Sequence, residues 1–158
     1  MRKGPRILLA AALGLLVLWV VAIFTYDPWR IRRVRASIES GSSWAEAIVA
    51  AERAAFPASE RFVAICTAGD GAPAFFERGE SGGYSVVQYG RLAEPPGNRP
   101  ERLRTSEEKY ATREDWTRAV LALGRDLKCE GVVISFPNSN AMSVTLDSDG
   151  RVRGAGGG

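Results

Sequence analysis

Residues 7–26, ILLAAALGLLVLWVVAIFTY, run for twenty positions without a charge. No other stretch constrains the chain as strongly. At a helical rise of about 1.5 Å per residue the run is about 30 Å long, the thickness of a bilayer's hydrocarbon core. Trp19, Tyr26 and Trp29 gather toward its C-terminal end, where an aromatic belt meets headgroups, and Pro28 is expected to end the helix. The run is long for the apolar part of a cleavable leader, and no A-x-A follows it before Asp27. It therefore reads as an uncleaved transmembrane helix, with the mature chain beginning at or near Met1. Ala10 and Gly14 form a small-xxx-small pair of the kind that seats a second helix, although small residues are common in such spans without that role.

Charge is arranged around this run. Arg2, Lys3 and Arg6 precede it, and Arg30, Arg32, Arg33 and Arg35 follow against the single Asp27. From residue 36 onward there are 14 basic and 17 acidic residues, so the net charge of +3 comes from the flanks of the apolar run. A nucleic-acid module gathers its surplus of basic residues on the folded domain, and this domain has none, so nucleic acid is not expected as a partner. The charge rule for orientation is nearly balanced here. Two cysteines, Cys66 and Cys129, both beyond the apolar run, suit one disulfide in an oxidising compartment. Arginine outnumbers lysine 18 to 3, as in a GC-rich bacterial genome. Together these predict a single-pass protein of the bacterial inner membrane. Residues 1–6 would be a cytoplasmic basic tip, 7–26 the span, and the remaining domain periplasmic.

Residues 27–41 place Ile31, Val34 and Ile38 at helical spacing among arginines. This segment reads either as a basic amphipathic helix at the headgroups or as a solvated continuation of the anchor helix. Under the first reading Trp19, Tyr26, Trp29, Arg30, Arg32 and Arg33 are the membrane-interface residues, and lipid is a partner.

The part from 42 to 153 reads as an α+β domain of order α-β-β-α-β-β. Ser43-Trp44-Ala45-Glu46 has the S-x-x-E form of a capping box and opens an Ala-rich helix that Pro57 closes. Strands are expected at 61–67 (RFVAICT) and 83–89 (GYSVVQY), with a short extended piece at 73–77 between them. Thr112 caps a second helix to about Lys128, with Glu114 and Asp115 in its first turn, and strands follow at 131–136 (GVVISF) and 141–146 (AMSVTL). FVAIC and GVVI are continuous apolar runs that suit the middle of a sheet, whereas YSVVQY and MSVTL alternate and suit its edges. Setting the first and third strands side by side also brings Cys66 next to Cys129. The expected fold is thus a four-stranded antiparallel sheet of order 2-1-3-4 with both helices on one face. Val63, Ile65, Val132, Ile134 and Phe136 are the expected core set. Phe62 and Val133 then lie on the opposite, mildly apolar face as partner-binding residues.

Residues 90–106, GRLAEPPGNRPERLRTS, carry three prolines and four arginines without periodicity, and are expected to form a long loop. Arg91, Arg99, Arg102 and Arg104 in it are candidate partner contacts. The tail 154–158, GAGGG, is expected to fray.

Chemistry is constrained mainly by exclusion. The chain has no histidine, which removes Ser-His-Asp and Cys-His nucleophiles, His-ligated haem and nearly every catalytic zinc site. Gly79-Glu80-Ser81-Gly82-Gly83 looks like a serine-protease nucleophile segment, but no histidine exists to take the proton, and a turn explains it. Ser106-x-x-Lys109 has the spacing of a Ser/Lys pair without the further motifs such enzymes need. Asp147-x-Asp149-Gly150 resembles the start of a calcium loop, but only eight residues follow Gly150, too few for the distal Glu. The carboxylate pairs Glu107/Glu108 and Glu114/Asp115 read as lying near helix starts, where the macrodipole favours them, and nothing in their spacing requires acid–base work. No cofactor or metal is expected. The expected function is a non-catalytic, membrane-anchored accessory or scaffold subunit docking on a larger bacterial membrane complex. The alternative is a tethered module that binds or senses a small molecule or peptide.

Overall fold

A computed structural model describes residues 4–55, 60–68, 74–91, 102–136 and 141–157. Side chains of 4–11, 22–27, 91, 102–105 and 157 lie outside the described residues. The elements run α1 (Gly4–Ser37), α2 (Trp44–Ala54), β1 (Phe62–Thr67), β2 (Ala74–Arg78), β3 (Tyr84–Arg91), β4 (Arg102–Tyr110), α3 (Arg113–Asp126), β5 (Gly131–Ser135), β6 (Met142–Leu146) and β7 (Val152–Gly157).

All seven strands form one antiparallel sheet of order β4-β3-β2-β1-β5-β6-β7. This corrects the expected four-stranded sheet at three points. The short extended piece is a full strand, β2, inserted between β1 and β3, because Ala74, Phe76 and Arg78 bury one side of it. Part of the expected Pro/Arg loop is strand as well: 90–91 end β3 and 102–110 form β4 at the sheet edge. The glycine tail pairs with β6 as β7, starting from a Gly150 turn at φ 72°. Runs of glycine and arginine carry little strand propensity of their own; the neighbouring ladder supplies the order.

The buried face is also the other one from that expected on β1. Phe62, Ala64 and Cys66 are buried with Val132, Ile134 and Phe136, while Val63 and Ile65 face away. Directly opposed residues of an antiparallel pair share a face, and the register places Ala64 against Ile134 and Cys66 against Val132. A register one residue off exchanges the two faces of a strand.

Over this face lie α2 and α3. Ser43 and Glu46 form the reciprocal capping box, with the Ser43 amide donating to Glu46 Oε2 at 2.7 Å and the Glu46 amide to Ser43 Oγ at 3.3 Å. Thr112 Oγ1 caps α3 by accepting from the Asp115 amide at 3.2 Å. The Cys66–Cys129 disulfide ties the end of β1 to the approach of β5, with Cα atoms 5.7 Å apart.

The largest correction concerns the N-terminal segment. Among the described residues no helix is long and apolar enough to cross a membrane. The two ends of the expected span, 7–11 and 22–26, have side chains outside the described residues. The transmembrane helix, the single-pass inner-membrane location and the periplasmic placement of the domain are therefore not supported. Nor does α1 end at Pro28. It continues to Ser37, with Pro28 inside it. A proline removes one backbone donor from the ladder, and the turns beyond it are held by packing on the domain.

Candidate functional site

One helix serves two roles along its length. The C-terminal part of α1 belongs to the domain: Val34 is in the core, with Ile31 and Ile38 packed against it. The spacing read as a headgroup helix is thus a stripe of 3.6 periodicity meeting α2 and the sheet, not lipid. Arg30 is buried, ion-paired with Glu60, and its guanidinium stands 5.7 Å over the Phe136 ring. Ser37 Oγ donates to the carbonyls of Val34 at 2.6 Å and Ala50 at 3.2 Å. These contacts fix the direction in which α1 leaves the domain.

Farther toward the N-terminus the described side chains, 12–21, are exposed. From Leu13 to Val21 the large apolar side chains are between 38% and 69% exposed, with Leu15 and Leu18 near the top of that range. Leu13, Leu18 and Trp19 are 59%, 67% and 65% exposed, and at 3.6 residues per turn Leu18 and Trp19 lie about 140° and about 240° around the axis from Leu13. Polar residues are absent from 12–21. A helix that is apolar all round is normally a buried helix, and an exposed apolar surface of this extent marks an interaction site. This is the principal candidate site.

A charged cluster stiffens the domain that carries it. Glu52, on α2, is fully buried; its Oε1 accepts from Arg78 Nη1 at 2.5 Å, Arg113 Nη2 at 3.2 Å and the Tyr84 hydroxyl at 3.3 Å. Arg113 Nε faces Oε2 at 3.1 Å, and Arg78 also donates to the Glu60 carbonyl from Nε at 3.3 Å and Nη2 at 3.2 Å. Burial works against the Arg113 charge, but the Tyr84 hydroxyl and the Glu52 carboxylate outweigh it and hold its pKa above the ordinary guanidinium value. One carboxylate thereby joins α2, β2, β3 and α3. It is closed to solvent; Oε1 takes three hydrogen bonds, while Oε2 has the Arg113 ion pair and no hydrogen bond. Sequence reasoning missed this cluster, although a signal was present: Glu52 falls on the same helical stripe as Trp44, Ile48 and Ala51, where an unpaired charge could not be buried.

A second surface lies on the sheet face turned from the helices. Register places Val133, Ile65, Phe75 and Val87 in one row across β5, β1, β2 and β3, with Ser143 and Glu107 at its ends; Val87 is itself buried, and the other three apolar side chains are part-exposed. Phe75 and Tyr89 pack edge to face at 5.2 Å. Val133, expected as a partner residue, belongs to this row; Phe62, its expected companion, is 1% exposed in the core. Of the four candidate arginines, Arg91 stands opposite Arg102 and Arg104 opposite Tyr89 at the β3–β4 corner, and Arg99 lies outside the described residues. Among the expected interface residues, Trp19 is exposed on the apolar stretch, Tyr26 has its side chain outside the described residues, Arg33 covers the Trp29 ring at 5.5 Å, and Arg32 is exposed. No group of three or more metal-ligating side chains occurs among the described residues.

Comparison with family models, curated proteins and solved structures finds no match for this chain.

Proposed function

We propose that this protein is a non-catalytic accessory or scaffold subunit that docks on a larger protein assembly through the apolar stretch of α1. The observation that supports it is the contrast along one helix. Residues 30–38 are locked to a cross-linked domain while Leu13–Val21, without a polar side, stand in solvent. Fully burying a side chain of this size stabilises by about 1.5–3 kcal/mol, so burying several of them supplies ample driving force for association. The arginines at the β3–β4 corner add charge at a sheet edge, where complementarity acts on association rate and choice of partner. Purification of the full chain from its own cells after mild detergent extraction should yield a complex of fixed stoichiometry. A monodisperse monomer would overturn the reading.

A second reading, a module that binds a peptide or small molecule, is favoured by the row Val133–Ile65–Phe75–Val87 with the Tyr89 ring beside it. Under it, Phe75→Ser abolishes ligand binding without disturbing assembly; under the accessory reading, the same substitution leaves complex recovery intact.

A further inference from the structure

The two ends of the sheet are finished differently. At the β7 end, the Gly41 amide donates to the Val152 carbonyl and the Val152 amide to the Ser42 carbonyl, both at 2.8 Å, and Ser43 bridges Arg151. At the β4 end, no strand among the described residues pairs with the outer edge. The regular ladder of β4 with β3 runs from Ser106 to Tyr110. In such a ladder alternate residues turn both N–H and C=O away from the neighbouring strand. That row of donors and acceptors is a template for one more strand.

Helix α3 makes the same edge one wall of a crevice. Trp116 Nε1 donates to the Ser85 carbonyl at 3.2 Å and fixes α3 over β3. Asp115, Ala119 and Ala122 share one side of α3, and with Tyr110 and Ala111 they line a crevice of about 490 Å³ between helix and strand. Three alanines in its walls leave room for an aliphatic side chain. The Tyr110 hydroxyl donates to Glu108 and holds that carboxylate along its own strand. On the other face of β4, Lys109 Nζ stands 3.9 Å from Glu107 Oε1 at the surface. A neighbouring strand with the reverse order of charges would extend this pair into a network of four alternating charges.

We infer that β4 and α3 bind an extended peptide segment of a partner protein, added antiparallel as an eighth strand. An acidic residue stands opposite Lys109 and a basic residue opposite Glu107. The residue between them, opposite Glu108 and on the helix side, is aliphatic and enters the crevice. Main-chain hydrogen bonds supply affinity, and the crevice and the charges supply choice. Antiparallel addition matches every other pair in the sheet. A second copy of this chain suits the edge less well. A two-fold axis through 107, 108 or 109 would set Glu107, Glu108 or Lys109 directly opposite itself, and like charges so placed are destabilising. The inference is independent of how α1 docks.

The test titrates the ¹⁵N-labelled full chain with the synthetic peptide Thr-Val-Glu-Val-Lys-Val-Thr, followed by amide chemical shifts and hydrogen exchange. A second peptide of the same composition, Thr-Val-Lys-Val-Glu-Val-Thr, places like charges opposite Lys109 and Glu107. The expected result is shift changes confined to 106–111 and to the 115–122 side of α3, with slowed exchange at alternate amides of 106–110. The first peptide should bind about tenfold more tightly than the second. Ala122→Arg, at an exposed position on the crevice wall, should weaken the first peptide by about tenfold without moving the unfolding midpoint. Ala119→Arg should do the same from the adjoining turn. Lys109→Glu should reverse the charge preference at its own position, favouring Thr-Val-Lys-Val-Lys-Val-Thr. Binding of neither peptide, equal binding of both, or shift changes elsewhere on the domain would each overturn the inference. So would protection of 106–110 in the peptide-free chain together with a dimer mass in sedimentation, since a second copy would then hold the edge. None of these outcomes bears on the accessory reading, which stands or falls on recovery of the complex.

Discussion

Arg78 Nη1 lies 2.5 Å from Glu52 Oε1, and the two side chains are 2% and 0% exposed. Charges this deep persist only when each satisfies the other, and removing one partner strands the other in a medium that cannot solvate it. Glu52→Gln should therefore destabilise the domain by about 3–5 kcal/mol, measured by urea unfolding. Arg113 loses its counter-charge in the same variant, so the guanidinium pKa should move back toward its ordinary value. The double variant Glu52→Leu/Arg78→Met, which removes both charges, should recover much of the loss.

Helices α2 and α3 approach so closely at Gly124 that a Cβ there would stand 2.6 Å from Ala45 Cβ. Gly124→Ala gains helix propensity but must separate the helices, and overpacking of this kind costs about 1–3 kcal/mol. A lower melting temperature is expected. Ala45→Gly in the same chain should restore part of it by reopening the contact.

Tyr110 has its pKa pushed up to about 12 from an ordinary 10.0, by burial first and then by the hydrogen bond and charge of Glu108. The folded state holds the phenol proton more tightly than the unfolded state. Its contribution to stability is therefore complete below pH 10 and is lost as the pH rises from 10 toward 12. Absorbance titration near 295 nm should show one tyrosine ionising late, and Glu108→Gln should bring that transition to lower pH.

Cys66 and Cys129 are 63 positions apart in sequence, and closing a loop of that size is worth about 4 kcal/mol in the chain-entropy model. Alkylation without reductant should label neither thiol in mass spectrometry. Cys66→Ser/Cys129→Ser should lower the unfolding midpoint in urea and raise the slope of the transition, because the unfolded chain without the cross-link is less compact and exposes more surface.

Several features were legible in the sequence because they are local. The capping box at Ser43–Glu46 needs only four residues, and the Thr112 cap only a few more. The pairing of Cys66 with Cys129 was expected from two continuous apolar runs suited to neighbouring central strands, and β1 and β5 do pair. The stripe Ile31, Val34, Ile38 was visible as a period of 3.6, and its partner was not: periodicity shows that a face is buried and never by what, so a stripe read against headgroups proved to be packed on the domain's core.

The sequence by itself determined which segments have a buried side, where the capped helices start, that histidine chemistry is excluded, and that 7–26 carries no charge. Tertiary structure alone decided the rest. Whether 74–78, 102–110 and 152–157 are strands depended on ladder partners distant in the chain, since Arg-rich and Gly-rich stretches have little strand preference without them. Which face of β1 is buried depended on a register that differs by one residue between the two answers. Glu52 could be buried only because Arg78, Tyr84 and Arg113 arrive from three other elements. Arg30 likewise became a buried anchor only because Glu60 and Phe136 converge on it. Each is a long-range electrostatic or packing match, and such matches exist only once the chain has closed on itself.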